Sequence, residues 1–254
     1  MKILITNDDG IHSPFLYSLT KAIADSHDTI VVAPYDEQSW IGRAMTIKGR
    51  IDLAEVHDLF PCPAFSLTGT PSDCVNIGLG YLCPEPPDLV LSGINIGHNA
   101  GLSFVASSGT ISAALEGALH NIPAIAASMH LVPERFQLIN HTKRDLDPAI
   151  QTHVDQASSF LSSFLDSFLE KHNPQYGQVH SINFPNDNMA EAQLVKTRTA
   201  HTVSQPLFER VGNQFEFHYK PLETHKTHCS PTDRETVDEG NISHTIFDYA
   251  NLCK

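Results

Sequence analysis

The chain has 254 residues, of which 41% are hydrophobic and 18% charged, and its 29 acidic side chains against 16 basic ones give a net charge of −13. This length predicts one large domain, or one domain with an extension, and the composition excludes a disordered chain. The acidic excess argues against binding to a nucleic-acid polymer or an anionic membrane, because both require clustered lysine and arginine.

The ends of the chain and its cysteines predict a cytoplasmic location. The apolar run near the start, from Ile3 to Ile5, is shorter than the ~7–15 residues of a signal peptide. No stretch approaches the ~20 apolar residues of a membrane span. The 5 cysteines are odd in number and contain no Cys-x-x-Cys, which is typical of reduced thiols rather than of a disulfide framework or a zinc site.

Strand and helix signals alternate over roughly the first 130 residues. Apolar runs predict strands at 2–6, 29–33, 64–67, 88–91 and 123–127. Capping residues and helical spacing predict helices over 14–26, with Ser13 as its cap, over 71–82, capped by Thr70, and over 109–121. Continuous apolar strands separated by helices are typical of a parallel sheet covered on both faces. We therefore predict an α/β fold with a Rossmann-like three-layer core and a mainly parallel sheet.

The second half begins with a long predicted helix, 147–172, and a strand, 179–184. The sequence becomes more polar after about residue 186, so we predict a catalytic core of 1–186 and a C-terminal extension of 187–254 that is not an independent domain. Within the extension, the pattern predicts a β-hairpin arm over 208–219, a short helix over 232–239 and a last strand over 242–247. The extension either makes oligomer contacts or is a poorly packed surface segment.

Polar residues follow three of the predicted strands. Asp8 and Asp9 come after the first strand, Ser39 after the second, and Asn95 after strand 88–91. Ligands of an open parallel sheet bind beyond the carboxyl ends of its strands. These oxygen donors suit Mg²⁺, Mn²⁺ or Ca²⁺ better than zinc or copper, and two adjacent carboxylates need a cation or a proton between them. The alternative is a simple turn with Gly10.

A second group of polar residues precedes the Ala-rich helix, namely Ser107, Ser108, Gly109 and Thr110. A helix N-terminus with hydroxyl side chains binds phosphate, although serine and glycine are also ordinary capping residues. A metal site and an anion site side by side suit hydrolysis of a phosphate ester, in which the metal activates a water molecule. The sequence contains no P-loop, no dinucleotide fingerprint and no nucleophile elbow.

Several other side chains carry weaker signals. His12 and His98 flank the candidate loops and are either phosphate contacts or loop residues. His225 and His228, with Cys229, have metal-like spacing, but their polar surroundings favour a solvated loop. Trp40 follows Ser39 and either stacks on a base or covers the edge of the core.

The motifs resemble, in order along the chain, those of the SurE family of metal-dependent 5′/3′-nucleotidases. They are Ile3 to Ile11, Ala33 to Ser39, Gly69 to Val75, Ser92 to Asn99, and Ser108 to Thr110 with Glu116-Gly117. Asn183-Phe184-Pro185 and the run from Thr232-Asp233 to Gly240 are similar to the family's C-terminal pattern.

The resemblance implies one divalent metal ion, Mg²⁺ or Mn²⁺, held by Asp8, Asp9, Ser39 and Asn95. It implies a 5′-nucleotidase, a phosphoric monoester hydrolase that acts on nucleoside 5′- and 3′-monophosphates, and a homodimer or homotetramer built by exchange of C-terminal elements. Ser108 matches the family's phosphate-binding serine. As catalytic residues we expect Asp8 or Asp9 to transfer a proton, and we expect the phosphate to contact a set comprising Asn99, Ser107, Ser108, Gly109 and Thr110.

The chain departs from the family pattern in the two loops that frame this site. Trp40 stands where the family usually has glycine. The segment from Asn95 to Ser108 is one residue longer than usual, so Ser107 is an alternative to Ser108, and Ser107 itself replaces an aromatic residue. These departures leave open a broader acid phosphatase or exopolyphosphatase, and a nucleotide-binding sensor with weak or no turnover.

Overall fold

The computed structural model describes residues 1–139, 146–225 and 231–252. The strands within them are β1 (Lys2–Thr6), β2 (Asp28–Pro34), β3 (Leu53–Glu55), β4 (Ala64–Leu67), β5 (Leu89–Ile96), β6 (Ala124–Met129), β7 (Gln178–Phe184), β8 (Leu194–Thr197), β9 (Thr202–Val203), β10 (Phe208–Val211), β11 (Gln214–Phe217), β12 (Glu223–Thr224) and β13 (Ile242–Asp248). The α-helices are α1 (Pro14–Ala24), α2 (Pro71–Ile77), α3 (Leu102–Ser107), α4 (Gly109–Leu119), α5 (Pro133–Phe136), α6 (Pro148–Leu165), α7 (Phe168–His172) and α8 (Asp233–Asp238).

Nine of these strands form one sheet in the order β3-β4-β2-β1-β5-β6-β7-β13-β8. Neighbouring strands from β4 to β7 run parallel, whereas β3 and β13 lie antiparallel to β4 and β7. The predicted α/β class with a mainly parallel sheet is therefore confirmed. Among the described helices, none is both long and apolar enough to cross a membrane.

Helices cover both faces of the sheet, which gives the predicted three layers. Successive side chains of a strand point to opposite faces. Ile3 and Ile5 of β1 therefore pack on one face with the buried sides of α1 and α6. Leu4 packs on the other face with α2 and α4.

Local signals predicted the helix starts well. Thr70 forms the capping box with Asp73 at the start of α2, and α2 continues into a π-helical turn at Gly78–Leu82, close to the predicted end. Helix α1 begins at Pro14 as predicted, but the Ser13 side chain makes no capping hydrogen bond. The short elements β3, β8, α3 and α5 are absent from the prediction because they are brief or mostly exposed.

Strand β5 is longer than predicted, since it continues through Ser92-Gly93 to Ile96. Gly93 has φ 135°, and a Cβ there would lie 2.2 Å from the Ala127 carbonyl oxygen of β6. The pairing of β5 with β6 shifts register between Ser92 and Asn95. This glycine therefore lets the strand continue past an irregularity rather than end. As a correction, Asn95 lies within the carboxyl end of β5 and not beyond it.

The single helix predicted over 147–172 is wrong, because α6 ends at Leu165 and α7 starts at Phe168. Ser167 adopts φ −125°, outside helical geometry. The break places the Phe168 side chain fully within the core.

The C-terminal extension contributes both arms and sheet strands. Strands β10 and β11 form the predicted hairpin, with Val211 paired to Gln214. Strand β13 inserts between β7 and β8, so the extension shares the central sheet with the rest of the chain. The division at residue 186 stays a prediction.

Candidate functional site

The candidate site lies where the strand order of the sheet reverses. Strand β1 has β2 on one side and β5 on the other, and the chain then continues outward through β6 and β7. The carboxyl ends at such a switch point form a crevice where ligands bind. The turn after β1 is closed by the Asn7 side-chain amide, which donates to the Gly10 carbonyl at 3.0 Å. Asp8 and Asp9 therefore sit inside a local turn that aims them at the crevice.

Asp8 is buried against the first turn of α4. Thr110 Oγ1 donates to Asp8 Oδ1 at 2.7 Å. A Cβ on Gly109 would lie 2.8 Å from Asp8 Cβ and Oδ2. Only glycine therefore allows the α4 backbone to lie this close to Asp8. Burial raises the pKa of Asp8 to about 6, and the Thr110 hydrogen bond opposes that rise.

Asp9 is buried beside Asp8 and is tied to β5. The Ile96 amide donates to Asp9 Oδ2 at 3.0 Å. Burial and the neighbouring charge of Asp8 raise the pKa of Asp9 well above its ordinary value, and Glu37 adds a smaller repulsion. Two adjacent buried carboxylates are costly unless a proton or a cation offsets their charge.

Ser39 lies in the exposed loop that follows β2. Its hydroxyl donates to the Glu37 carboxylate at 2.6 Å. The preceding residue, Gln38, donates its backbone amide to the Asp8 carbonyl oxygen at 2.7 Å. The loop is thus anchored at the carboxylate pair, while the Ser39 hydroxyl is engaged by Glu37.

Asn95 is buried at the carboxyl end of β5, one residue before the amide that binds Asp9. Its side-chain nitrogen donates to the Gly97 carbonyl oxygen. That bond fixes the amide plane and leaves the side-chain oxygen as the atom suited to a metal ion.

Asn99 is part of a buried polar network that leads to Asp8. Its side-chain nitrogen donates to Ser128 Oγ at 2.9 Å and lies 3.3 Å from Thr110 Oγ1. The Asn99 backbone amide donates to Asn183 Oδ1 at 2.8 Å. Asn99, Thr110 and Asp8, all of them predicted site residues, are therefore brought together in the structure.

The serines before α4 have different roles. The Ser108 side chain caps α4 by accepting from the Ile111 amide at 3.0 Å, and it is buried. The Ser107 hydroxyl instead donates to the Ser103 carbonyl oxygen of its own helix at 3.1 Å. Ser108, with Gly109 and Thr110, thus lines the start of α4, whereas the Ser107 side chain is turned back into α3.

Trp40 covers neighbouring aromatic rings. Its ring packs edge-to-face on Phe104 of α3 and Phe217 of the hairpin, with both centroid distances 5.6 Å, and 44% of the residue remains exposed. Trp40 has φ 62°, a conformation that favours glycine. This backbone geometry explains physically why a glycine suits the position.

The candidate histidines are not gathered around the carboxylates. His12 is exposed with its ring against Tyr35, and His225 is an exposed loop residue. His98 is enclosed by His130 and Phe104, with ring centroids 4.7 and 5.3 Å away. Burial lowers the pKa of His98 to about 3. His228 and Cys229 lie outside the described residues.

Two side chains that contact Asn99, namely Ser128 and Asn183, are not among the predicted site residues, although Asn183 belongs to a motif of the family pattern. Both lie near the carboxyl ends of their strands, β6 and β7. The rule that found Asp8 and Asp9 would have found these two residues as well, had it been applied to the later strands.

The donor set fits a hard divalent cation. The buried candidates are the carboxylates of Asp8 and Asp9 and the amide oxygen of Asn95, with the Ser39 hydroxyl at the exposed rim. Oxygen ligands of this kind suit Mg²⁺ or Mn²⁺. These side chains can hold such an ion next to the N-terminus of α4, where free backbone amides attract anions.

Comparison with known proteins relates the chain to one family by sequence profile, by a curated relative and by a solved structure. The profile of the family described as "Survival protein SurE" matches residues 3–206. A protein of Methanothrix thermoacetophila named 5′-nucleotidase SurE is 34% identical over 209 residues, which cover 82% of this chain and 76% of that protein. The solved structure of the SurE protein from Aquifex aeolicus superposes with a TM-score of 0.74 at 26% identity, covering 98% of this chain and 93% of that one.

Identity is higher in a match that covers a smaller share of the chain. A protein of Pseudothermotoga lettingae, also named 5′-nucleotidase SurE, is 49% identical over 128 residues. This match covers 50% of the chain and 49% of that protein, so the chain spans about half the length of this curated relative.

Proposed function

The chain belongs to the SurE family, and we propose that it is a metal-dependent phosphatase that releases phosphate from nucleoside 5′- and 3′-monophosphates. The observation that carries this proposal is the bond from Thr110, in the first turn of α4, to the buried carboxylate of Asp8. It joins a candidate cation site to a helix N-terminus, and the two together suit the hydrolysis of a phosphate monoester. The names of the matched relatives support the same activity.

The proposed metal ligands are Asp8, Asp9, Ser39 and Asn95. When bound, a divalent cation would neutralise charge on the phosphoryl group and activate the attacking water. Three of the four side chains are already held by the protein, because Thr110 holds Asp8, Ile96 holds Asp9 and Gly97 holds Asn95. Ser39 joins the set after exchanging its bond to Glu37 for the cation.

The proposed phosphate site is formed by the start of α4 and the loop before it. The Ser108 hydroxyl and the backbone at Gly109 and Thr110 face the Asp8 side of the crevice, since Gly109 touches Asp8. Asn99 is held by Asn183 and Ser128, and its side-chain amide lies beside the start of α4, 3.3 Å from Thr110 Oγ1. We assign the phosphate contact to Ser108 rather than to Ser107, whose hydroxyl is used within α3.

Proton transfer is assigned to the carboxylate pair. A buried carboxyl group with a raised pKa exchanges a proton more readily near neutral pH than an ordinary aspartate does. Asp8 and Asp9 both have raised pKa values because of burial. The hydrogen bond from Thr110 fixes the orientation of the Asp8 carboxyl group.

We propose further that the hairpin arms mediate contacts in a homodimer or homotetramer. Phe208, Val211, Phe215 and Phe217 of β10 and β11 are all at least half exposed. Apolar side chains clustered on an exposed arm are typical of a protein–protein contact. The cytoplasmic location expected from the sequence stays a prediction.

The test is phosphate release from a panel of nucleoside 5′- and 3′-monophosphates, assayed with Mn²⁺ or Mg²⁺ and with EDTA. We expect EDTA to abolish release and Asp9→Asn to lower it by about 10²–10⁴-fold. Metal-independent turnover, or full activity of Asp9→Asn, would contradict the mechanism. Tight nucleotide binding without release would instead identify a sensor, and preference for polyphosphate a broader phosphatase.

A further inference from the structure

Three histidines meet on the face of the sheet that packs against α6 and α7. We infer that His172, His180 and His244 form a second metal site, which takes a transition-metal ion such as Zn²⁺. This histidine cluster is distinct from the acidic site at Asp8 and Asp9, and the inference does not depend on the proposed function.

The topology of the sheet brings the three residues together. His180 lies in β7 and His244 in β13, which pair antiparallel with His180 opposite Ile246 and His244 opposite Ile182. The two histidines are therefore diagonal neighbours on one face of the sheet. His172 is the last residue of α7.

The distances are suited to a shared ion. One ring nitrogen from each histidine lies within 4.8 Å of those of the other two. His180 Nδ1 and His244 Nε2 are 2.9 Å apart. Ligand nitrogens at about 2.0–2.1 Å from a tetrahedral zinc ion are separated by about 3–3.5 Å. Small rotations of the rings are thus enough to direct three lone pairs at one ion.

One ring nitrogen of the buried His180 lacks a hydrogen-bond partner within the described part of the chain. Its relative exposure is 0%, and its Nε2 has no hydrogen-bond partner among the described residues. A buried ring nitrogen without a partner is unfavourable, and a metal ion bound at this nitrogen would remove that cost. Burial also lowers the pKa of His180 to about 3 and that of His244 to about 4, so both rings are neutral at neutral pH, as metal ligation requires. The ion would replace the hydrogen bond between His180 Nδ1 and His244 Nε2.

The surroundings favour a transition metal over a hard cation. Lys171 and Lys196 are the charged groups that act on His172 and His244, and both are positive. Binding must therefore come from imidazole ligation, which suits Zn²⁺, Ni²⁺ or Cu²⁺ but not Mg²⁺ or Ca²⁺. His172 lines a cleft of about 300 Å³ together with Ser167, which provides an entry path and room for a water as fourth ligand.

A metal here would connect the C-terminal extension to the core. His244 belongs to the extension, and His172 and His180 precede it. An ion bound only by the folded chain stabilises that fold by mass action. We therefore expect bound Zn²⁺ to stabilise the pairing of β13 with β7 against unfolding.

The experiment isolates the histidine cluster by removing the acidic site. Zn²⁺ is titrated by calorimetry into Asp9→Asn, Asp9→Asn/His172→Asn and Asp9→Asn/His57→Asn, each in excess Mg²⁺ and each checked for folding by circular dichroism. His172 is chosen because it is partly exposed at a helix end, and His57 is an exposed histidine outside the cluster. We expect one Zn²⁺ per chain in Asp9→Asn and in the His57 control, and at least about tenfold weaker binding in the His172 variant.

Equal Zn²⁺ affinity in Asp9→Asn and Asp9→Asn/His172→Asn would overturn the site, as would the absence of Zn²⁺ binding in Asp9→Asn. A second measurement keeps the test independent of the variants' folding. Co²⁺ added to Asp9→Asn is expected to give the intense visible absorption of a tetrahedral nitrogen site, and Zn²⁺ is expected to displace it. A weak octahedral spectrum would count against the inference.

Discussion

The acidic site and the histidine cluster lie on the same sheet but are built in opposite ways. Asp8 and Asp9 are adjacent in sequence and follow one strand directly, and a second strand and a helix start complete their surroundings. The histidine cluster instead requires β13, from the end of the chain, to pair with β7. The first site is local to the switch point of the sheet, whereas the second exists only after a long-range pairing has formed.

The two sites also differ in how burial acts on their charges. Burial raises the pKa values of Asp8 and Asp9, so the charged form that a metal needs is disfavoured without a cation. Burial lowers the pKa values of His180 and His244, so the neutral form that a metal needs is already present. Desolvation thus disfavours the charged form of the carboxylates when no metal is bound, and it favours the neutral form of the imidazole rings.

The largest loss of activity is expected from a change in the tight packing around Asp8 in the acidic site. We expect Gly109→Ala to lower phosphate release by about 10²-fold, because the added methyl group collides with Asp8 and displaces it. Steady-state kinetics at saturating Mn²⁺ measure this loss. Gly80→Ala is the matched control, since nothing lies within 4 Å of a Cβ there. An unchanged rate in Gly109→Ala would show that Asp8 need not hold its position.

A smaller loss is expected when the partner of Asp8 is removed. Thr110→Val keeps the shape of the side chain but deletes the hydroxyl that donates to Asp8. We expect a fall of about 10–100-fold in kcat/KM, as for groups that orient metal ligands. Thr110→Ser retains the hydroxyl and should restore most of the activity. Equal rates for the valine and serine variants would remove Thr110 from the site.

The metal-free protein offers a test of the opposed pKa shifts. The contribution of Asp8 to stability falls as pH rises from 3.8 to about 6, because the folded state favours its neutral form. The contribution of His244 is present above pH 6.5 and is lost as pH falls toward about 4. Thermal unfolding in EDTA should therefore show that Asp8→Asn gains Tm relative to wild type as pH rises. His244→Gln should lose Tm relative to wild type over the same change. If the Tm differences of both variants from wild type changed in the same direction with pH, the opposed pKa shifts would be contradicted.

The smallest expected effect separates the two serines before α4. Ser108→Ala removes the N-cap of α4 and should cost about 0.5–2 kcal/mol of stability and raise KM. Ser107→Ala should change stability by less than about 0.5 kcal/mol and leave KM unchanged. Urea unfolding and kinetics on both variants measure this difference. A larger effect from Ser107→Ala would reassign the phosphate contact.

Sequence patterns predicted the parts of the molecule that depend on neighbouring residues. The β1 strand, the Thr70 cap of α2 and the hairpin over 208–219 all follow from local signals and agree with the structure. The same locality placed Asp8 and Asp9 at the switch point, because a polar turn directly after a buried strand marks a strand end.

The remaining features depend on distant contacts and were therefore not predictable from local patterns. The strand predicted over 88–91 stops short of Gly93, whereas β5 continues through this glycine, which accommodates the close Ala127 backbone of β6. The break between α6 and α7 places Phe168 in the core. The histidine cluster has no sequence motif at all, since His180 and His244 come together only through the β7–β13 pairing.

The central claim is that the acidic site, and not the histidine cluster, supports phosphate release. Its most direct test is Mn²⁺-dependent phosphate release from one nucleoside 5′-monophosphate by wild type, Asp9→Asn and His172→Asn at equal concentration. The account predicts that Asp9→Asn loses about 10²–10⁴-fold of the rate and that His172→Asn retains the wild-type rate and Mn²⁺ dependence. Full activity in Asp9→Asn, or a comparable loss in His172→Asn, would contradict it.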